Sequence, residues 1–114
     1  NQLAFAPKKL TIKAGQKVTV QFDNPDHQIH NIVICKPGTL NAVGLLADKL
    51  AFDPTAIKRQ YLPESEDIIW STPLVNGKSE VELEFTAPDQ PGRYPILCTF
   101  PGHWLIMQAI LIVQ

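Results

Sequence analysis

The residues in this chain best suited to chemistry lie together near its C-terminal end, in Cys98-Thr99-Phe100-Pro101-Gly102-His103-Trp104-Leu105-Ile106-Met107. A thiol, an imidazole and a thioether follow one another at spacings of five and four residues, with Pro101-Gly102 between the first two. A Pro-Gly pair favours a turn, so a chain leaving a strand at Cys98 can bring His103 back beside the sulfur. Met107 then returns at the start of the next strand. Soft sulfur with imidazole selects copper or zinc over magnesium or calcium. One Cys, two His and a long, weak Met bond make a copper electron-transfer site, which requires a second histidine from elsewhere in the chain. Any one of these residues alone reads as ordinary packing. The chain, however, has a single Met and only two Cys, and one of each falls in this stretch at ligand spacing.

Two histidines remain, His27 and His30. The run His30 to Lys36 reads as a strand in which His30, Ile32 and Ile34 share one face and Asn31, Val33 and Cys35 the other. His30 therefore enters on the core side, whereas His27 sits in the polar turn Asp23-Asn24-Pro25-Asp26. Cys35 has the opposite parity to His30, which makes it a small packing residue under the segment that follows.

The stretch from Cys98 to Met107 resembles the copper loop of the azurin family of cupredoxins, with the auracyanins close by, in which Cys-Thr-Phe-Pro-Gly-His is followed by three residues and Met. The pair His30-Asn31 resembles the family's first histidine and its neighbour, so the likeness covers nearly the whole chain. The resemblance implies a type 1 copper carried by His30, Cys98, His103 and Met107, with a weak contact from the carbonyl of Ile29. Azurins place Gly where Ile29 stands, and usually a smaller residue where Trp104 stands. It also implies that Asn31 braces the ligand loop and that the Phe100 amide tunes the sulfur. Export to the periplasm or cell surface is implied too, so a processed mature form or an excised domain is expected.

The elements that must hold these residues are short and β-rich. Leu3-Ala4-Phe5 and Leu10-Thr11-Ile12 read as strands around Pro7, and Val18, Val20 and Phe22 alternate with Lys17, Thr19 and Gln21. Ile68-Ile69-Trp70 is a further apolar strand. Asn76-Gly77 predicts a hairpin into Val81, Leu83 and Phe85, with Glu80, Glu82 and Glu84 as a solvated face. Tyr94, Ile96 and Cys98 share a face, Pro95 predicts an irregularity or an edge, and Ala109 to Val113 closes the chain. Residues 38–67 are too many for a simple loop. Val43, Leu46 and Leu50 lie there at helical spacing, with Asn41 as a cap and Asp53-Pro54 opening a second helical turn. About eight strands with one helical insertion predict an all-β Greek-key sandwich, a single cupredoxin-like domain over residues 1–114.

Composition narrows the function. With 114 residues, 45% of them hydrophobic, a net charge of −1 and no basic stripe, the chain has the balance of one globular domain and no footprint for nucleic acid. No apolar run is long enough to span a membrane. A multicopper enzyme would need further histidines for a second centre, and only His27 is left over. The expected function is thus single-electron transfer between redox partners such as cytochromes or copper and haem enzymes, by a monomer or part of a larger polypeptide. A zinc or apo binding module on the same fold is the alternative. Docking is expected at the loop residues Pro101, Gly102, Trp104 and Leu105.

Overall fold

The computed structural model describes residues 8–24 and 28–114. Seven strands among these form two sheets. The larger sheet runs in the order β1 (Lys9–Ile12), β7 (Gln108–Val113), β6 (Gly92–Leu97), β3 (Val33–Cys35), β4 (Ile68–Ser71), and the smaller pairs β2 (Lys17–Asn24) with β5 (Ser79–Thr86). Neighbours are mostly far apart in sequence, and β1 pairs with β7 in parallel. The strand expected around Leu3–Phe5, and Pro25, Asp26 and His27 of the expected turn, lie outside the described residues, whereas Asp23 and Asn24 still pair in β2.

Alternation decides which faces meet. In β2 and β5 the pairs Val18–Phe85, Val20–Leu83 and Phe22–Val81 point towards the larger sheet. The facing strands and the residues that flank them supply Ile32, Ile34, Tyr94, Ile96, Cys98, Met107 and Leu111 to the same core. On the outer side of β2 and β5, Asp23 stands opposite Glu80. Gln21 lies between them and donates hydrogen bonds to both carboxylates, at 3.1 and 2.7 Å.

The insertion is helical, as its spacing predicts. Helix α1 (Leu40–Lys49) runs into a 3₁₀ turn at Leu50–Phe52, and a second 3₁₀ turn spans Ala56–Arg59. Val43 of α1 packs on the outer face of the larger sheet in a second buried cluster with Val33, Cys35, Leu97 and Trp104. Asn41 does not cap the helix. It lies inside the first turn, and Thr39 precedes the helix with its hydroxyl donating to the carbonyl of Lys36. Asp53 does open the next turn, since its Oδ1 accepts from both the amide and the hydroxyl of Thr55. Those two bonds, helped by Arg59, hold its carboxyl below the usual range.

Two further expectations are corrected. Asn76-Gly77 does turn the chain, with Ser79 N–H donating to the Asn76 carbonyl and Lys78 in the left-handed region (φ 63°), but no hairpin forms. The segment crosses from β4 in one sheet to β5 in the other. Buried Asn24 fixes this crossing by donating to the carbonyls of Val75 and Asn76. Pro95 lies in a central strand and not at an edge. The proline is tolerated because the ladder from β3 pairs only with Leu97 and Ile96 and ends before Pro95, an irregularity of the kind expected there.

Candidate metal centre

The loop between β6 and β7 carries Cys98, His103 and Met107, three residues expected to be ligands, at one end of the core. Cys98 N–H donates to the carbonyl of Met107 at 3.2 Å, which closes the loop as a continuation of the strand pair. Gly102 at the turn takes φ 85°, which a side chain would strain. His103 then accepts, at its carbonyl, the amides of Ile106 and Met107. This helical turn lets Trp104 point inward while Leu105 and Ile106 point out. His30 precedes β3 proper and is held by a two-way bridge with Val75, with N···O distances of 3.1 and 2.7 Å.

The predicted donors converge. His30 Nδ1 lies 3.2 Å from His103 Nδ1, and Cys98 Sγ lies 4.0 Å from the former and 3.6 Å from the latter. All three residues are buried, His103 being the most exposed at 6%. A point equidistant from the corners of this triangle lies about 2.1 Å from each, matching the ~2.0–2.3 Å bonds that such a metal makes to imidazole nitrogen and thiolate sulfur. The hole is thus the size of one soft or borderline metal ion, with no carboxylate among the three donors. Met107 is buried in the core cluster that holds Cys98.

The neighbours of these donors are also tied. Asn31 Nδ2 donates to Thr99 Oγ1 at 2.9 Å, and Thr99 N–H donates back to Asn31 Oδ1 at 2.8 Å. This reciprocal pair links the residue after His30 to the residue after Cys98. The ring of Phe100 lies between those of Tyr61 and His103, with centroids 4.9 and 5.0 Å away.

Trp104 is not a surface residue. It is 6% exposed, and its indole packs flat over Gly44, where an added Cβ would come within 2.2 Å of the ring. Its Nε1 donates to Asp48 Oδ1 at 3.0 Å. Trp104 therefore clamps the metal loop under α1, and Leu105 and Ile106, 71% and 57% exposed, form the outward apolar tip. The sequence reading did not single out Gly44 or Ile106. A glycine inside a helical pattern is a signal for close packing, and it marks Trp104's place. Cys35 sits on the outer face in the second cluster, where burial and then Asp67 push its thiol up to about 12.

A β-sandwich with a buried His-Cys-His triangle at one end of its core defines a type 1 copper electron carrier of cupredoxin fold. The chain belongs to the plastocyanin/azurin family of copper-binding proteins, whose family model matches residues 1–114. Auracyanin-A of Chloroflexus aurantiacus is 41% identical over 115 residues, which cover 99% of this chain and 68% of that protein. Its solved structure, described as a "blue" copper protein, superposes with a TM-score of 0.84 over 99% of this chain and 90% of its own. Dithionite-reduced auracyanin from Roseiflexus castenholzii matches at 33% identity and a TM-score of 0.82, over 99% of this chain and 89% of its own. Auracyanin-B of Chloroflexus aurantiacus is 30% identical over 90% of this chain, which spans only 43% of that protein's length.

Proposed function

We propose that His30, Cys98 and His103 hold the copper as its three close donors, with Met107 as a weak fourth and the Ile29 carbonyl near by. The observation that carries this reading is the donor triangle, whose size suits a single ion. Bound there, copper supplies a one-electron couple between its Cu(II) and Cu(I) states. The protein's part is to keep the donors still. Strand and bridge fix His30, the closed loop fixes Cys98 and Met107, and the Asn31–Thr99 pair ties the two sides together. Donors held this way need little rearrangement when an electron arrives or leaves.

Burial of all four side chains keeps water from the sulfur, while His103 lies nearest the surface and beside the outward tip. Leu105 and Ile106, with Pro101 and Gly102, offer a small apolar docking patch of the kind that weak redox encounters use. The partners on this reading are redox proteins such as cytochromes or copper and haem enzymes, met outside the cytoplasm. No helix among the described residues is long and apolar enough to cross a membrane.

Titration of the metal-free protein with Cu(II) tests the ligand set. A strong visible thiolate-to-copper band saturating at one equivalent is the expected result. Persistence of that band in His30→Gly would remove His30 from the ligands.

A further inference from the structure

The second 3₁₀ turn of the insertion ends in two successive residues with left-handed backbone, Gln60 (φ 59°) and Tyr61 (φ 51°). Neither is a residue that adopts this region readily, and an aromatic side chain does so least of all. Such strain persists where the surroundings enforce it, and it clusters where a site needs a fixed geometry. The amides of both residues donate back into the 3₁₀ turn, to the carbonyls of Ile57 and Ala56, while their carbonyls and side chains reach toward the ligands. The Gln60 carbonyl accepts from Asn31 Nδ2 at 3.4 Å, and the next carbonyl, that of Tyr61, accepts from Thr99 Oγ1 at 2.7 Å. Asn31 follows His30 and Thr99 follows Cys98. The Tyr61 ring lies against Phe100, and Phe100 lies against His103. At the other side, Gln60 Oε1 accepts the Leu74 amide at 2.9 Å, next to the Val75 that bridges His30.

From this convergence we propose that Gln60 and Tyr61 are positioning residues for the copper centre. Their strained turn aims two consecutive carbonyls and one ring at the neighbours of three ligands. The helical insertion is then a template that sets the angle between the His30 side and the Cys98 side. Without the turn, the Asn31–Thr99 pair would still join the two sides but would lose its external reference. This inference rests on the ligand reading above.

Tyr61→Pro tests it, because proline cannot take a positive φ and also removes the amide that donates to the Ala56 carbonyl. Tyr61→Phe is the control, since it keeps ring and turn. In the metal-free protein, the Asn31 side-chain amide and His103 ring resonances should shift in Tyr61→Pro and stay in place in Tyr61→Phe. With Cu(II), the thiolate band and the reduction potential should move in the first variant only. Unchanged resonances, band and potential in a folded Tyr61→Pro protein would overturn the proposal. Should that variant not fold, Tyr61→Gly releases the left-handed strain and takes the ring off Phe100 while leaving both bonds of the Asn31–Thr99 pair in place. A shifted band and shifted Asn31 and His103 resonances then support the proposal, and unchanged ones overturn it. Absence of the band from the wild-type protein would instead remove the ligand reading, and the metal-free resonances would still decide the role of the turn.

Discussion

The two cysteines of this protein are both completely buried, neither is in a disulfide, and they stand on strands β3 and β6 or just beyond, yet they face opposite sides of one sheet. Cys98 turns into the sandwich, where two imidazole nitrogens lie within 4.0 Å of its sulfur. Cys35 turns outward under α1, among Val33, Val43, Leu97 and Trp104. Equal burial therefore produces opposite chemistry. A thiol among hydrocarbon, with Asp67 near, resists ionising and stays a small packing unit. A thiol beside two imidazoles has donors around it that favour metal in place of the proton. Strand parity, one residue in either direction, decides which fate a cysteine meets.

The sharpest way to break this comparison is to replace each sulfur by oxygen. Cys98→Ser should abolish the thiolate-to-copper band altogether, since a neutral hydroxyl cannot give the same covalent donation. Cys35→Ser should keep the band and lose only stability, by about 1–3 kcal/mol for a buried hydroxyl without a designed partner. A titration of both variants with Cu(II), followed by absorption, reads the outcome. A band surviving in Cys98→Ser would mean that the sulfur is not a ligand.

The next largest effect concerns what covers the outer face. Trp104→Ala should cost about 3–5 kcal/mol, because a large buried ring is removed and its cavity stays. Gly44→Ala should also be strongly destabilising, as the new methyl would meet the indole at 2.2 Å. Denaturant midpoints check both. If Gly44→Ala leaves the midpoint in place, the indole is free to move aside and the clamp on the metal loop is loose.

Much of this arrangement was legible in the sequence, and the reason differs between the two faces. The ligand loop is local, so Cys98, His103 and Met107 could be placed from spacing and a Pro-Gly turn. His30 followed from strand parity, which also put Cys35 on the far side. Trp104 was expected outside because its neighbours are loop residues, and its direction depends on a helix that lies 60 residues earlier at Gly44. Asn76-Gly77 misled for a similar reason. A turn signal fixes local backbone but not which strand is met afterwards, and here Asn24 directs the chain to the other sheet. The left-handed pair Gln60-Tyr61 has no local signal at all, being neither Gly nor Asn, and only tertiary contacts hold it.

Alkaline pH should separate the faces more gently. The Cys35 thiol rises from 9.0 to about 12 on folding. A raised value means that the folded state holds the proton more tightly than the unfolded chain. The resulting stability is complete below pH 9 and is lost as pH climbs from 9 toward 12, at a slope approaching ~1.4 kcal/mol per pH unit. Cys35→Ala should be somewhat less stable than wild type at pH 7, and that deficit should shrink steadily above pH 9. Parallel stability profiles for the two proteins would show that Cys35 does not titrate against burial.

The smallest structural effect and the most direct functional one should come from the residue beside the clamp. Trp104 and Leu105 are adjacent in sequence, but the first is 6% exposed and the second 71%. Leu105 contributes nothing to either buried cluster, so Leu105→Asp should change stability by no more than about 0.5 kcal/mol. It should also leave the copper band untouched, because the side chain points away from the donors. What it changes is the apolar tip next to His103. Two copies exchanging electrons through their tips would each carry a new carboxylate into the encounter. Self-exchange should fall about tenfold at low ionic strength and recover in part as salt screens the repulsion. Line broadening in mixtures of oxidised and reduced protein measures that rate. A slower, salt-sensitive exchange with an unchanged spectrum places electron entry at the tip, whereas an unchanged rate would move the docking surface away from Leu105 and leave the copper site as it stands.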